Sequence, residues 1–388
     1  MMLKTYTKKE IQPGTRVFLR VDANVPLKNG RVVEGALGRL PRSIVEINRL
    51  RKMKAAIILA THLGDPKGHP LPSLTTRPIA KAYEKLLKTK VKFCPSVVGA
   101  DAERMAQSLK PGEVMMLENL RYEAGEEKDS AAFAKQLSRL ADVYVNNAFG
   151  VCHRKHASVY NITKFLPSFA GALVQDEVRE LSHPLTKPFV LAMAGMKLAT
   201  KVPLLEVMAP KASAILVGGG LSVTLLAAKM GKRLPLAGGF VEAEEVALAK
   251  KILAKYGDKI VLPIDVVVRI GRKTQEMNVR DLDLEDVIID IGQHAAKRYA
   301  NMASHARTVV WNGPFGMVED KAARNGTTVF AKALAKSKAR SIIGGGDTVS
   351  FLESAKITKG FSFISTGGGA MLSFLSGESM PGVDSLKS

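Results

Sequence analysis

Short apolar runs rich in β-branched residues alternate with amphipathic stretches along almost the whole chain. That alternation predicts repeated strand–helix units and a parallel sheet. In the first half the apolar runs fall at 16–22, 55–62, 91–94, 113–118 and 143–147, with helical spacing at 42–53, 75–87 and 131–140 between them. The second half offers strands at 189–194, 214–217, 259–268, 308–311, 341–343 and 363–365. Its clearest helix is 242–255, where Val246, Leu248, Ile252 and Leu253 recur at near-helical spacing. A further helical stretch, 166–181, is entered through Pro167-Ser168, and Pro184 and Pro188 then mark a boundary near 183–188. The pattern predicts two α/β domains joined by a helix. A length of 388 residues agrees, since single cores rarely grow that large.

Three of the second-half strands empty directly into three consecutive glycines: Gly218 to Gly220, Gly344 to Gly346 and Gly367 to Gly369. Each triplet precedes a helix-like stretch. A strand, a glycine turn and a helix start present bare backbone N–H groups and a positive helix terminus to an anion. A single triplet is explained by a tight turn alone. Three at the carboxyl ends of strands in one parallel sheet would line one crevice, and the middle one runs into Asp347-Thr348. A phosphate-binding domain is the reading they favour. The Walker A pattern is absent, which argues against the P-loop design.

Composition narrows the classes. No apolar run approaches the ~18 residues that span a bilayer, and residues 1–10 lack a signal-peptide core. Two cysteines, Cys94 and Cys152, provide neither a disulfide framework nor metal-ligand spacing, which points to a reducing cytoplasm. The charge is unusual: 57 Lys/Arg against 36 Asp/Glu leave +21, and +14 of it lies in the first 100 residues. Such a field draws anions, whether small phosphorylated metabolites, nucleic acid or membrane headgroups. Many of the lysines, such as Lys81, Lys85 and Lys88, are spaced as on a solvated helix face. No aromatic platform or zinc-finger spacing makes nucleic acid the leading partner.

A second constellation collects at the strand ends of the first half. Arg20 to Pro26 follows the first strand, Thr61 to Gly64 the second, Glu118 to Arg121 the fourth and Asn146 to Gly150 the fifth, with His153 to His156 shortly after. Polar residues at successive strand ends converge on one cleft, and His, Arg and Asn suit a phosphorylated carboxylate. In the second half, Lys197 and Lys201 stand four apart after the strand at 189–194, on one face of a helix start. Two positive charges so placed could meet phosphoryl oxygens as charge gathers on them.

Taken in order, these motifs resemble the phosphoglycerate kinase family over nearly the full length. The matching stretches are Arg20-Val21-Asp22-x-Asn24-Val25-Pro26-Leu27, His62-Leu63-Gly64-x-Pro66-Lys67-Gly68, Leu117 to Arg121, Gly125 to Lys128, Ala148 to Ser158, Trp311 to Pro314, Gly344 to Thr348, Ser365 to Ala370 and Pro381 to Val383. The resemblance implies two Rossmann-like parallel-sheet domains closing on a hinge. Residues 1–183 would bind phosphoglycerate, with the tail 375–388 packed back on them, and residues 184–374 would bind nucleotide. It implies reversible phosphoryl transfer between 1,3-bisphosphoglycerate with ADP and 3-phosphoglycerate with ATP, with Mg²⁺, in a cytoplasmic monomer. Asp22, Asn24, His62, Arg121 and Arg154 would hold the acid. Lys197, Arg39, Gly346 and Gly369 would form the catalytic set. Lys201, Gly218, Gly219, Asn312, Glu319, Gly345, Thr348, Gly367 and Gly368 would hold the nucleotide, and Asp347 the metal.

The match breaks at two places that matter. Where the family carries Arg after His-Leu-Gly, this chain has Asp65, and a lost charged hydrogen bond removes about 1.5–3 kcal/mol. The family's catalytic Arg before the first helix falls on Ala36 or Leu37, and Arg39, the nearest cation, needs a backbone shift to enter the slot. Ala23, Asn147 and Thr200 replace a Phe and two Asp. Three readings stay open: an active phosphoglycerate kinase, a weak or inactive nucleotide-binding relative, and a polyanion binder.

Overall fold

The computed structural model describes residues 2–236 and 239–388, and they form two compact units. The first holds the chain through Ser182 together with Gly369–Phe374 and Glu378–Ser388; the second holds His183–Gly368 and Leu375–Gly377.

The first unit is built on a six-stranded, all-parallel sheet. Its strands are β1 (Arg16–Val21), β2 (Ala56–Ala60), β3 (Val91–Phe93), β4 (Val114–Met116), β5 (Val143–Asn147) and β6 (Ser168–Ala170), in the order β3-β4-β2-β1-β5-β6. Both faces are covered. Val17, Leu19, Ile57 and Leu59 pack with Ile47, Leu50 and Tyr83 on one side; Phe18 and Ile58 pack with Ala102, Phe133 and Leu137 on the other. Two-sided burial is why these strands read as continuous apolar runs rather than alternating ones. The tail joins this unit, with the Lys4 N–H donating to Leu386 O at 2.8 Å. The stretch at 166–181 is not one helix. Ser168–Ala170 pairs as the edge strand and the helix starts only at Ala172, after Gly171 in extended backbone.

The second unit carries another six-stranded parallel sheet: β7 (Phe189–Ala194), β8 (Ala214–Gly218), β9 (Ile260–Val261), β10 (Thr308–Asn312), β11 (Arg340–Gly344) and β12 (Phe363–Ile364), in the order β9-β8-β7-β10-β11-β12. That is the doubly wound order of Rossmann folds. The apolar run at 259–268 splits in two. Pro263 has no N–H for a ladder, so β9 stops before it, and Asp265–Ile270 enters a separate antiparallel sheet with Lys273–Asn278 and Val287–Ile291. Helix Gly219–Met230 packs against this small sheet through Val223 and Leu226, and residues 220–228 are all buried. That explains its lack of a polar face.

Strand order reverses between β1 and β5 in the first sheet and between β7 and β10 in the second. Crevices outside the carboxyl ends of strands at such reversals are where open α/β sheets bind ligands.

Candidate active site

In the first unit, polar side chains from four strand ends gather beside β1. Asn24 Oδ1 accepts from the Gly64 N–H at 2.9 Å, tying the loop after β1 to the loop after β2. Arg121 Nη1 donates to Gly64 O at 2.8 Å, and its Nε lies 3.1 Å from Glu127 Oε1. Its Nη2 is buried with no hydrogen-bond partner among the described residues. His62 is buried, and burial with Arg20, Arg121, Arg39 and His156 around it holds its pKa well below the usual imidazole range. His156 is pushed down to about 3 by burial and by Arg20, Arg121 and Arg154. Burial also lowers the Arg121 guanidinium, with Arg154 and Arg20 adding to it while Glu127 and Asp65 pull the other way. Arg154 is exposed, with Nε donating to His153 Nε2 at 3.3 Å. So many cations depressing one another mark a pocket that gains stability from an anion.

Arg39 enters this cluster by a route that begins at Glu34. The Glu34 carboxylate accepts from the N–H groups of Arg39 and Leu40, capping helix Arg39–Lys52 from five residues upstream. Gly38 permits this, because a side chain there would collide with Glu34. Arg39 then stands in the first turn, with Nη1 2.5 Å from Asn24 O and 3.3 Å from Asp22 Oδ1.

In the second unit, a cavity of about 360 Å³ opens at the ends of β7, β8, β10 and β11. Gly219, Gly345, Asp347 and Thr348 bring the glycine turns to it, and Lys201, Asn312 and Glu319 bring polar groups. Lys201 Nζ donates to Asn312 Oδ1 at 3.1 Å, and burial lowers its pKa. Thr348 Oγ1 accepts from the Gly313 N–H at 2.9 Å, pinning the loop after β10. Gly345 has φ +101°, a conformation that side chains resist, and it precedes helix Gly346–Ser354. Leu236, Ile288, Phe315 and Met317 supply an apolar wall. An apolar slot ending at helix N-termini suits a base at one end and phosphates at the other.

The family model for phosphoglycerate kinase matches residues 9–378. The chain is 40% identical over 384 residues to a phosphoglycerate kinase of Moorella thermoacetica and 38% identical over 383 residues to one of Leptospira biflexa, covering 96% of both chains in each case. The structure of phosphoglycerate kinase from Coxiella burnetii superposes with a TM-score of 0.82 at 32% identity, covering 99% of each chain. That from Pyrococcus horikoshii OT3 gives 0.89 at 29% identity, covering 98% of each. The chain belongs to the phosphoglycerate kinase family.

Within the family frame, the first unit brings Asp22, Asn24, Arg39, His62 and Arg121 together, with Arg154 at their edge. Asp65 is exposed beside Gly64 and faces Arg121. Asn147 is buried and accepts from Leu173 N–H at 2.9 Å, capping helix Ala172–Leu181. In the second unit the cavity takes in Lys201, Gly219, Asn312, Glu319, Gly345, Asp347 and Thr348. Gly218 lies behind Gly219, packed on Phe315, and Gly346 follows Gly345 in the same turn. Gly367 leads into Gly368, where an added Cβ would come 2.8 Å from Gly345 Cα. Lys197 does not line the cavity; its Nζ stands 3.8 Å from Glu242 Oε1. Gly369 groups with the first unit, where a Cβ added to it would come 3.8 Å from His153 Nε2.

Sequence reasoning missed the apolar wall, whose one signal was the run Val287-Ile288-Ile289. It also missed Glu34, and although Arg20, Glu126 and Ser158 lie in stretches it singled out, it did not foresee that they are buried together behind His62. Among the described residues no helix is long and apolar enough to cross a membrane.

Proposed function

We propose that the chain transfers a phosphoryl group reversibly between ATP and the carboxylate of 3-phosphoglycerate, giving ADP and 1,3-bisphosphoglycerate. A carboxylate oxygen attacks the γ-phosphorus, the bond to the ADP oxygen breaks, and ADP leaves. The observation that carries the reading is Arg121 Nη2, buried and unpartnered among the described residues, amid His62, Arg39 and Arg154. A donor in that state costs stability until an anion meets it. The first unit takes the acid: Arg121 and Arg154 meet its phosphate, and Asp22, Asn24 and His62 its hydroxyl and carboxyl end. Arg39 fills the part of the arginine missing at Ala36 or Leu37, a reading supported by its ion pair with Asp22 from the first turn of the helix.

The second unit takes the nucleotide. Gly218 and Gly219 let the adenosine approach the backbone, Asn312 and Glu319 meet its polar edge, and Lys201 with the turns at Gly345 and Gly367 to Gly368 meets the phosphates. Lys197, with the N–H group of Gly346, meets the phosphoryl group in transit, where charge develops. Asp347 is exposed on the cavity rim and makes no ion pair among the described residues, which fits Mg²⁺, an ion held by one or two carboxylates and otherwise by phosphates and water. When bound, the ion neutralises phosphate charge. The chain acts as a monomer in the cytoplasm, a setting that suits two buried free thiols. The readings as an inactive relative or a polyanion binder gain nothing from the fold or the relatives.

Calorimetric titration with 3-phosphoglycerate tests the carrying observation. One site is expected, lost in Arg121→Ala; no heat of binding to the native chain would overturn the assignment.

A further inference from the structure

Three side chains behind the acid site are fully buried and polar: Arg20, Ser158 and Glu126. Glu126 accepts from Ser158 N–H at 2.9 Å and from Ser158 Oγ–H at 2.5 Å. With its proton committed, Ser158 Oγ accepts from Arg20 Nε at 3.0 Å. Arg20 Nη1 donates to Val21 O at 2.5 Å, and Nη2 lies 3.3 Å from His62 Nδ1. Arg20 has no surface through which to touch a ligand. Its effect on the site passes through His62.

The chemistry of the contact is one-directional. A guanidinium only donates, so the His62 nitrogen facing it has to accept and carries no proton. A neutral ring then keeps its proton on Nε2, where no group among the described residues takes it up. Glu126 and Ser158 fix which way the guanidinium points, because Nε is held on Ser158 and Nη1 on the backbone.

We propose that Glu126, Ser158 and Arg20 form a relay that locks His62 as the neutral Nε2–H tautomer, making it a permanent hydrogen-bond donor to the oxyanion in the acid site. Arg20 is thus a positioning residue. The groups that face His62 are Arg20, Arg39, Arg121 and His156, with Glu126 reached through Ser158. The cations around the ring all oppose a second proton on it. A donor with no net charge can bond a carboxylate or phosphate oxygen without titrating between acid and neutral pH. The role as ligand donor rests on the function proposed above; the tautomer does not.

The two are separable by experiment. Long-range ¹H–¹⁵N correlation on the full chain with ¹⁵N-labelled histidine, His62 assigned by its loss in His62→Gln, reads the ring directly without substrate. A bare Nδ1 and a protonated Nε2, unchanged from pH 8 to 5.5, is the expected result. An Nδ1–H tautomer, or a midpoint near the ordinary imidazole value, would overturn the proposal. In Ser158→Ala, and more mildly in Arg20→Lys, the ring should populate both tautomers. KM for 3-phosphoglycerate should then rise roughly threefold to tenfold, the worth of one neutral hydrogen bond, with kcat nearly unchanged. Mixed tautomers with an unmoved KM would remove the relay from the reaction. A native chain with the expected tautomer but no turnover would instead count against the function.

Discussion

Arg39→Ala is the most informative perturbation. Arg39 Nη1 holds Asn24 O at 2.5 Å and Asp22 Oδ1 at 3.3 Å, and Asp22 is only 7% exposed. Truncation removes one charged hydrogen bond and one partly screened ion pair, which together stabilise the fold by about 1–2 kcal/mol. Melting should therefore fall by only a few degrees. The effect on substrate is larger, because the remaining donors of the fork are lost and Asp22 is left as an uncompensated carboxylate facing an incoming anion. One charged contact at about 1.5–3 kcal/mol corresponds to roughly a 10- to 150-fold loss in kcat/KM for 3-phosphoglycerate. ATP affinity by calorimetry should not move, since the cavity proposed for the nucleotide is lined by residues of the second unit. Arg39→Lys keeps the charge but not the planar fork, and should recover part of the loss. A kcat/KM within twofold of the native value in Arg39→Ala would refute the reasoning and leave Arg39 as a structural partner of Asp22.

Asp65→Arg should lower KM for 3-phosphoglycerate by roughly tenfold, since it removes a repulsive charge and adds a donor near Arg121; an unchanged or raised KM would mean the pocket is organised around Asp65. Lys197→Ala should cut kcat by about 10²-fold or more while leaving the melting temperature alone, because Lys197 is 65% exposed and only loosely paired with Glu242. Turnover that survives this change would remove Lys197 from the reaction. Stability should fall as pH drops below about 6.5. His156 has a folded pKa of about 3, below its unfolded value, so the unfolded chain takes up a proton that the native state refuses. At pH 5 that costs about 2 kcal/mol, and His156→Gln should flatten the decline in melting temperature between pH 7 and 5.

Much of the fold was legible because two-sided burial writes β2 and β7 as unbroken apolar runs and gives β1, β5 and β10 apolar centres. The glycine turns were legible for a steric reason: Gly345 has a positive φ that side chains resist, and a Cβ added to Gly368 would come 2.8 Å from Gly345 Cα. The failures have physical causes too. Whether 259–268 is one strand or two depended on Pro263 and on antiparallel pairing with Val287–Ile291, and local pattern does not announce pairing. The approach of Arg39 to Asp22 depends on Glu34 reaching forward to cap a helix, which spacing alone does not reveal. The Arg20 relay was hidden because it joins residues 20, 62, 126 and 158, which only the assembled sheet brings together.

The central claim is that a site with Asp65 and without the usual arginine still transfers phosphoryl groups. A coupled assay of ATP consumption with 3-phosphoglycerate and Mg²⁺, run beside ATP-binding calorimetry on the same sample, tests it directly. The account predicts ATP binding together with turnover that depends on 3-phosphoglycerate; ATP binding with no turnover would contradict it.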